Sequence, residues 1–359
     1  MLPFIQMKIN KGQFALSNVW KRIGFHVARG RGHLWRYLLN RARWHYGPRL
    51  KHTGRMPDHV DLELSSACNM RCPMCYTITE EFKEKVGLLM MDSALFKELI
   101  DQCAAHGVYS VRLSLRGEPT IHPQFLELAL YAKARIHEVS MLTNGLKLPP
   151  ATFEELVKVQ FDWITISFDG LGETYEKIRK PAKYKEMVAK IQEFKAIKER
   201  HRSRKPVVKI QCVWPAIKDN PQAFYDVFEP FVDLISANPL IDYHHNDSPA
   251  AIEYEPRFTC PVLWQRLVVG SDGRVLLCSN DELGKHILGD ANKQTLHEIW
   301  NGEAMRKVRA IHLQHRGVAE IESCRECYLP RLTTPVLTKI DNRKIIVDNY
   351  VNRPQEIGR

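Results

Sequence analysis

From about residue 58 of this 359-residue chain, stretches with the two-residue apolar alternation of a strand take turns with stretches of helical periodicity. The strand signals are 60 to 64 (VDLEL), 110 to 115 (SVRLSL), 138 to 144 (EVSMLTN), 163 to 169 (WITISFD), 207 to 213 (VVKIQCV) and 233 to 238 (DLISAN). Between them lie helices such as MDSALFKELIDQCAAHG, where Leu95, Phe96, Leu99, Ile100 and Cys103 share a face and Gly107 ends it. Strand–helix units repeated in this way join parallel strands by right-handed crossovers. The pattern predicts an α/β fold: a partial β/α barrel of six units over residues 57–245.

Within these strands the second face is polar. Ile164, Ile166 and Phe168 oppose Thr165, Ser167 and Asp169; Val111, Leu113 and Leu115 oppose Arg112, Ser114 and Arg116; Leu62 and Leu64 oppose Asp61 and Glu63. With the apolar set turned to the helices, the polar set lines the barrel. A filled barrel has a branched aliphatic interior, so a polar one predicts a cavity for a polar ligand. Arg112, Lys209 and Gln211 are then candidate contacts to an anionic or hydroxylated substrate. His244 and His245 lie in a loop between the two domains, where substrate contacts also fall.

Nine cysteines stand at 68, 72, 75, 103, 212, 260, 278, 324 and 327. Their odd number and short spacings read as metal ligation in a reducing compartment rather than as disulfides. No apolar run is long enough to cross a membrane and no secretory signal pattern is visible, which predicts a cytoplasmic protein. The loop CNMRCPMC places Cys68, Cys72 and Cys75 directly after the first strand. Three thiolates leave one iron of a four-iron cluster open to another ligand; zinc would require a fourth ligand such as His59.

Near the other end, Cys260 precedes a hairpin, LVVGSDGRVLLC, whose second strand ends at Cys278. Antiparallel pairing brings the two together. A helix read from Thr295 through TLHEIWNGEAMRKVRAIH leads to Cys324 and Cys327. Four converging thiolates can close a site around an iron-sulfur cluster or a structural zinc. This region, 246–330, reads as a small α+β domain, and 331–359 as an extended tail.

The net charge of +11 is localised: residues 1–57 carry twelve Lys or Arg and no acid, against 40 basic and 41 acidic residues elsewhere. Within the arm, 1–56, Trp35, Leu38, Leu39, Ala42 and Tyr46 recur at helical spacing, with Arg36, Asn40 and Arg43 opposite. Such a basic amphipathic helix suits an anionic membrane surface, including peripheral attachment to the inner membrane, or an acidic partner. Alternatively it wraps the main domain and packs its aromatic stripe inward. A mitochondrial targeting segment fits less well, with Ser17 its only serine, and the neutral remainder makes nucleic acid an unlikely ligand.

The joint pattern CNMRCPMC, RGEPTIHP (Arg116 to Pro123), TNG (Thr143 to Gly145) and ISFDG (Ile166 to Gly170), each at the C-terminal end of a strand, resembles the radical S-adenosylmethionine superfamily. The C-terminal segment, with Gly273 five residues before Cys278, resembles its SPASM or twitch extension. The resemblance implies a [4Fe-4S] cluster on Cys68, Cys72 and Cys75, with S-adenosylmethionine on the open iron. It implies reductive cleavage to a 5'-deoxyadenosyl radical that takes a hydrogen atom from substrate, with a flavodoxin or ferredoxin as electron donor. Gly117, Glu118 and Pro119 would hold the methionine amino group, with Asn144, Ser167 and Arg179 at the ribose and carboxylate. In this pattern Arg116 stands where many relatives have a second glycine, and Met74 where an aromatic residue is common. Cys260, Cys278, Cys324 and Cys327 would hold one auxiliary [4Fe-4S] cluster, which in relatives accepts an electron or positions the substrate.

An epimerase-like reaction would need a thiol to return a hydrogen atom. Cys212 is the candidate, but it shares a face with Val208 and Ile210 and so turns from the interior, which favours oxidation. The expected substrate is a small hydroxylated molecule: a sugar, cyclitol or glycolipid. Modification of a ribosomally made peptide is the alternative, although the acid-free, strand-poor arm is unlike a leader-recognition domain. A further alternative is a membrane or nucleic-acid binder whose clusters are structural.

Overall fold

The computed structural model of the protein describes residues 13–241, 244, 251–353, 356 and 357. His245 lies outside these. In chain order the strands are β1 (Phe14–Ala15), β2 (His59–Leu62), β3 (Ser110–Arg112), β4 (Glu138–Thr143), β5 (Trp163–Ser167), β6 (Val207–Val213), β7 (Leu234–Asn238), β8 (Arg266–Val269), β9 (Arg274–Leu276), β10 (Ile287–Asp290), β11 (Thr333–Ile340) and β12 (Arg343–Tyr350). Strands β2 to β7 stand side by side in sequence order, all parallel, as six β/α units require.

The apolar faces turn outward to the helices. Val111, Val139, Met141, Ile164, Ile166, Ile210 and Ile235 are buried. They share one core with Phe96, Leu99, Leu128, Phe153, Phe194 and Phe224 of the crossover helices. Each such side chain contributes roughly 1.5–3 kcal/mol by leaving water. Asp92 starts one of these helices, Ser93–Ala105, by accepting from Ala94 N and Leu95 N at 2.9 and 3.0 Å.

The strands that follow Cys260, β8 to β10, do not form a separate sheet. β8 pairs in parallel with β2, His59 opposite Arg266, and β9 and β10 continue antiparallel, giving one ten-stranded sheet that β1 closes at the other edge against β7. The expected hairpin is present as β8 and β9. The single helix read from Thr295 is two, Leu296–Trp300 and Glu303–Leu313, because Gly302 is extended at φ −71°, ψ 167°. The break lets Trp300 turn inward, where its indole donates to Gly54 O at 3.0 Å. The segment read as an extended tail is the hairpin β11–β12, turned by Asp341 and Asn342 with φ of 49° and 60°.

Two helices of the arm, α1 (Val19–Gly30) and α2 (Leu34–Leu50), lie under the N-terminal ends of the strands. Phe25 and Ala28 pack with Val207 and Leu234, the first residues of β6 and β7, and with Trp163 of β5. Arg29 makes a buried two-point ion pair with Glu138, the first residue of β4, at 2.7 and 3.0 Å. The Trp44 ring lies edge-on to His59 and its carbonyl accepts from Gln265 at 2.8 Å. The arm therefore wraps the barrel, but with the face opposite to the aromatic stripe. Tyr37, Asn40 and Trp44 are buried, while Trp35, Leu38, Leu39 and Tyr46 are exposed. The barrel floor presents charged and polar strand ends, Glu138 and His59 among them, which polar and indole-bearing side chains match better than aliphatic ones.

Candidate active site

The loops after β2, β3, β4 and β5 meet at the C-terminal rim of the barrel. After β2 the chain enters the cysteine loop, closed by Cys75 N donating to Cys72 O at 3.0 Å and tied to the β5 side by Arg71 N to Lys180 O at 2.9 Å. The loop after β3 crosses it at Gly117. A Cβ there would lie 2.2 Å from Ala67 O and 2.5 Å from Ser65 O, so only glycine allows this crossing. Glu118 N then donates to Ala67 O at 2.8 Å.

The buried Glu118 carboxylate faces inward, where it accepts from Thr143 Oγ1 and Thr120 Oγ1 at 2.6 Å, Thr120 N at 3.1 Å and Asn144 N at 2.7 Å. Burial pushes its carboxyl above the ordinary range while these four donors pull it back. Glu118 thus braces the β3 and β4 loops, and Pro119 opens the short turn Pro119–Ile121 beneath it. Asn144 donates to Asn69 at 2.8 Å, with Cys68 Sγ 3.8 Å away. Ser167 ends β5 half-buried, in register with Gln211.

Arg179 donates to Asp169 at 2.7 Å and points Nη1 at Cys72 Sγ from 3.8 Å. Burial works against its charge, but Asp169 outweighs that and keeps the guanidinium protonated. Asp169 itself was not singled out from sequence; it also accepts from Val213 N at 2.7 Å and joins the β5 and β6 rims. The DG of ISFDG was the signal for it. Cys212 is buried, donates to Ser236 O at 3.6 Å, and its thiol is held well above the ordinary range by burial.

In the second region the hairpin and the two C-terminal helices bring Cys260, Cys278, Cys324 and Cys327 into one electrostatic neighbourhood, where burial and then the other cysteines raise the Cys278 thiol. Burial raises Cys260 to about 11 and Cys327 to about 12. Donors point at these sulfurs: Asn280 N at 3.4 Å from Cys278, Asn280 Nδ2 at 3.5 Å and Leu329 N at 3.4 Å from Cys327. His312 Nε2 lies 3.4 Å from Cys324 Sγ. Neither Asn280 nor His312 was foreseen, although a histidine on the apolar face of a helix leading to C-x2-C was a visible cue.

Among the described residues no three His, Cys, Asp or Glu side chains are gathered closely enough to hold a single metal ion. Zinc needs every sulfur about 2.3 Å from one centre, whereas a cubane takes more widely spaced thiols at its corners. Soft thiols, buried or half-buried, with N–H groups directed at the sulfurs, fit an iron-sulfur cluster at both places. Iron would displace the protons that burial otherwise keeps on Cys68, Cys72, Cys260, Cys278, Cys324 and Cys327.

Between rim and floor the interior is cationic. Asp61 pairs with Arg112 at 2.8 Å, His59 at 2.9 Å and Arg266 at 3.4 Å. Burial opposes its charge, yet these three hold its carboxyl well below the usual range. Lys209 is buried, bonded to Gln211 at 2.8 Å, and lowered to about 7 by burial, Arg29 and Arg112.

Thiolate loops at the rim of a partial barrel and beneath its sheet extension define an iron-sulfur protein. Residues 62–203 match the model of the radical SAM superfamily, and residues 260–328 that of the SPASM iron-sulfur cluster-binding domain. The chain belongs to the radical SAM superfamily and carries a C-terminal SPASM-type domain; its cofactors are a [4Fe-4S] cluster, S-adenosylmethionine and an auxiliary cluster.

Among curated relatives, a tungsten-containing aldehyde ferredoxin oxidoreductase cofactor-modifying protein of Pyrococcus furiosus is 30% identical over 145 residues, 36% of this chain and 40% of that protein. A GTP 3',8-cyclase of Chlorobaculum tepidum is 35% identical over 120 residues, 33% of this chain and 34% of that protein. The chain thus spans well under two thirds of the length of these relatives. The fold is similar to that of BtrN in complex with AdoMet and 2-DOIA, with a TM-score of 0.53, 18% identity, and coverage of 76% of this chain and 93% of that one.

Proposed function

We propose that this radical SAM enzyme abstracts a hydrogen atom from a C–H bond of a small hydroxylated molecule, a sugar, cyclitol or glycolipid, with oxidation as the net result. The observation that carries the reading is the cationic interior between the rim and the floor of the barrel. Lys209 and Gln211 of β6 stand beside Thr165 and Ser167 of β5, and Arg112 of β3 lies within electrostatic reach of Lys209. Arg112 and Arg266 share the single carboxylate of Asp61, and Lys209 is bonded to a neutral amide, so positive charge exceeds negative and favours an oxygen-rich or anionic ligand.

Cys68, Cys72 and Cys75 would hold the catalytic cluster, and Cys260, Cys278, Cys324 and Cys327 the auxiliary one. The catalytic cluster supplies, when reduced, the electron that cleaves S-adenosylmethionine to a 5'-deoxyadenosyl radical. Gly117 permits the loop crossing beside the cysteine loop and Glu118 braces it, with Pro119. Asn144 and Arg179 orient hydrogen-bond donors towards Cys68 and Cys72, and Ser167 stands at the rim for the nucleoside. Cys212 is a poor hydrogen-atom donor to an interior radical, since its sulfur is committed to Ser236 O and shut into the core. That argument supports oxidation over epimerisation. In the same reading the enzyme draws electrons from a flavodoxin or ferredoxin, works in the cytoplasm, and uses its basic arm as a peripheral membrane contact.

Anaerobic incubation of the reconstituted protein with S-adenosylmethionine and dithionite tests the chemistry. It should release 5'-deoxyadenosine, and a deuterated substrate should place deuterium in that product. Release at the same level from Cys72→Ala would refute the reading. Label arriving from a precursor peptide, but from no hydroxylated small molecule, would assign the protein to peptide maturation instead.

A further inference from the structure

The outer surface of the arm is unusual for a protein in water. On α1, Val19, Trp20, Ile23 and Val27 face outward; on α2, Leu34, Trp35, Leu38, Leu39, Tyr46 and Leu50 do the same. Trp20 and Trp35 are 76% and 82% exposed. The two helices pack on each other, and their opposite faces are taken up by the barrel floor. Their outward sides therefore form one apolar surface, larger than scattered surface hydrophobics would make.

Charge selects what covers it. Arg22, Arg31, Arg36 and Arg43 are exposed on and between the same two helices, and no acidic residue occurs before Asp58. Pairing this face with a second copy across a two-fold axis would set cations against cations. Nucleic acid would leave the indoles and leucines without an apolar partner. An anionic lipid surface offers both, acyl chains for the stripe and headgroups for the arginines. Next to Trp35 lies a cleft of about 600 Å³, lined by His33, Arg36, Lys133 and His137, in which Lys133 is already paired with Asp162 and Arg36 is bonded to His137. No described helix is long and apolar enough to cross a membrane.

We propose that α1 and α2 form an interfacial docking face for an anionic phospholipid membrane, placing the barrel floor on the bilayer and the catalytic rim away from it. The proposal rests on the peripheral-contact reading of the arm and not on the radical chemistry. Tryptophans insert at the headgroup boundary, the aliphatic stripe below them, and the arginines remain among the phosphates.

The full-length reconstituted protein should float with vesicles of equal parts phosphatidylglycerol and phosphatidylcholine, with Trp fluorescence shifted to the blue. Binding should fall about tenfold or more on pure phosphatidylcholine or at high salt. The combined variant Trp20→Ser, Trp35→Ser, Leu39→Ser should lose at least about tenfold in flotation while forming 5'-deoxyadenosine at the wild-type rate. Any of three results overturns the proposal: wild type that stays down with anionic vesicles, a variant that floats as well as wild type, or wild type that binds neutral vesicles equally. A wild-type dimer that the variant dissolves, with no vesicle binding, assigns the face to a second copy. Absence of 5'-deoxyadenosine from wild type would refute the chemistry and leave the flotation result standing.

Discussion

Arg116 and Glu63 form a buried two-point ion pair that fastens the loop after β3 to β2, Arg116 Nε to Glu63 Oε1 at 2.7 Å with Nη2 on the other oxygen. Glu63 also accepts from Arg116 N at 3.1 Å and Ser271 N at 3.0 Å, and Arg116 reaches Glu282 O at 3.2 Å. The arginine that stands where many relatives have a glycine is therefore a tie between the barrel rim and the auxiliary region. Glu63→Gln would leave a buried guanidinium without its counter-charge, a loss of about 3 kcal/mol or more. Denaturant unfolding of the reconstituted protein should show it; an unchanged midpoint would mean that the pair is dispensable.

Gly117→Ala should disrupt the rim without touching a thiol. The added methyl meets the Ala67 and Ser65 carbonyls at distances no relaxed structure holds, so the two crossing loops must separate. Iron at the first site and S-adenosylmethionine affinity should both fall, the latter by about tenfold or more. Equilibrium dialysis with labelled cofactor decides the matter, and wild-type affinity would refute the role given to the crossing.

Iron content distinguishes the two thiol sets. The wild type should carry about eight irons, and both Cys72→Ala and Cys278→Ala about four. The two variants should differ in kind. Cys278→Ala should still release 5'-deoxyadenosine but form little oxidised product, whereas Cys72→Ala should release none. Four irons in wild type alongside one zinc would reassign the C-terminal site.

Lys209 should impose a pH-dependent cost. Its folded-state value of about 7 lies below the ordinary lysine value, so the unfolded chain binds the proton more tightly between about pH 7 and 10. Stability therefore rises with pH across that window, and the full penalty, on the order of 4 kcal/mol, is present below it. Lys209→Met should melt higher than wild type at pH 6 and lose most of that advantage by pH 9.5. A constant difference in melting temperature would show that the lysine carries no buried charge.

The six parallel strands were legible because each alternates cleanly, and the rim loops because glycines and cysteines fall just where those strands end. What could not be read depends on partners remote in sequence. Nothing within RLVV announces that Arg266 will stand beside His59, some 200 residues away, and so merge the auxiliary region into the barrel sheet. The stripe of α2 was visible as a stripe, but its direction depends on the polarity of a barrel floor assembled from the ends of β2 and β4 to β7. Glu118 was read as a ligand-holding group, while its carboxylate is occupied by Thr120, Thr143 and Asn144. The Asp341–Asn342 turn, by contrast, was legible as a hairpin signal between alternating stretches and was passed over.

The continuity of the ten-stranded sheet has a mechanical consequence. β2 runs into the first cysteine loop, and β8, its hydrogen-bonded neighbour, begins six residues after Cys260. The backbone ladder between them acts as a fixed ruler, setting the spacing of the two metal-binding places by covalent and hydrogen-bond lengths. Opening and closing to admit a guest must then fall to the rim loops, because the pairing of β2 with β8 holds the two halves in one sheet.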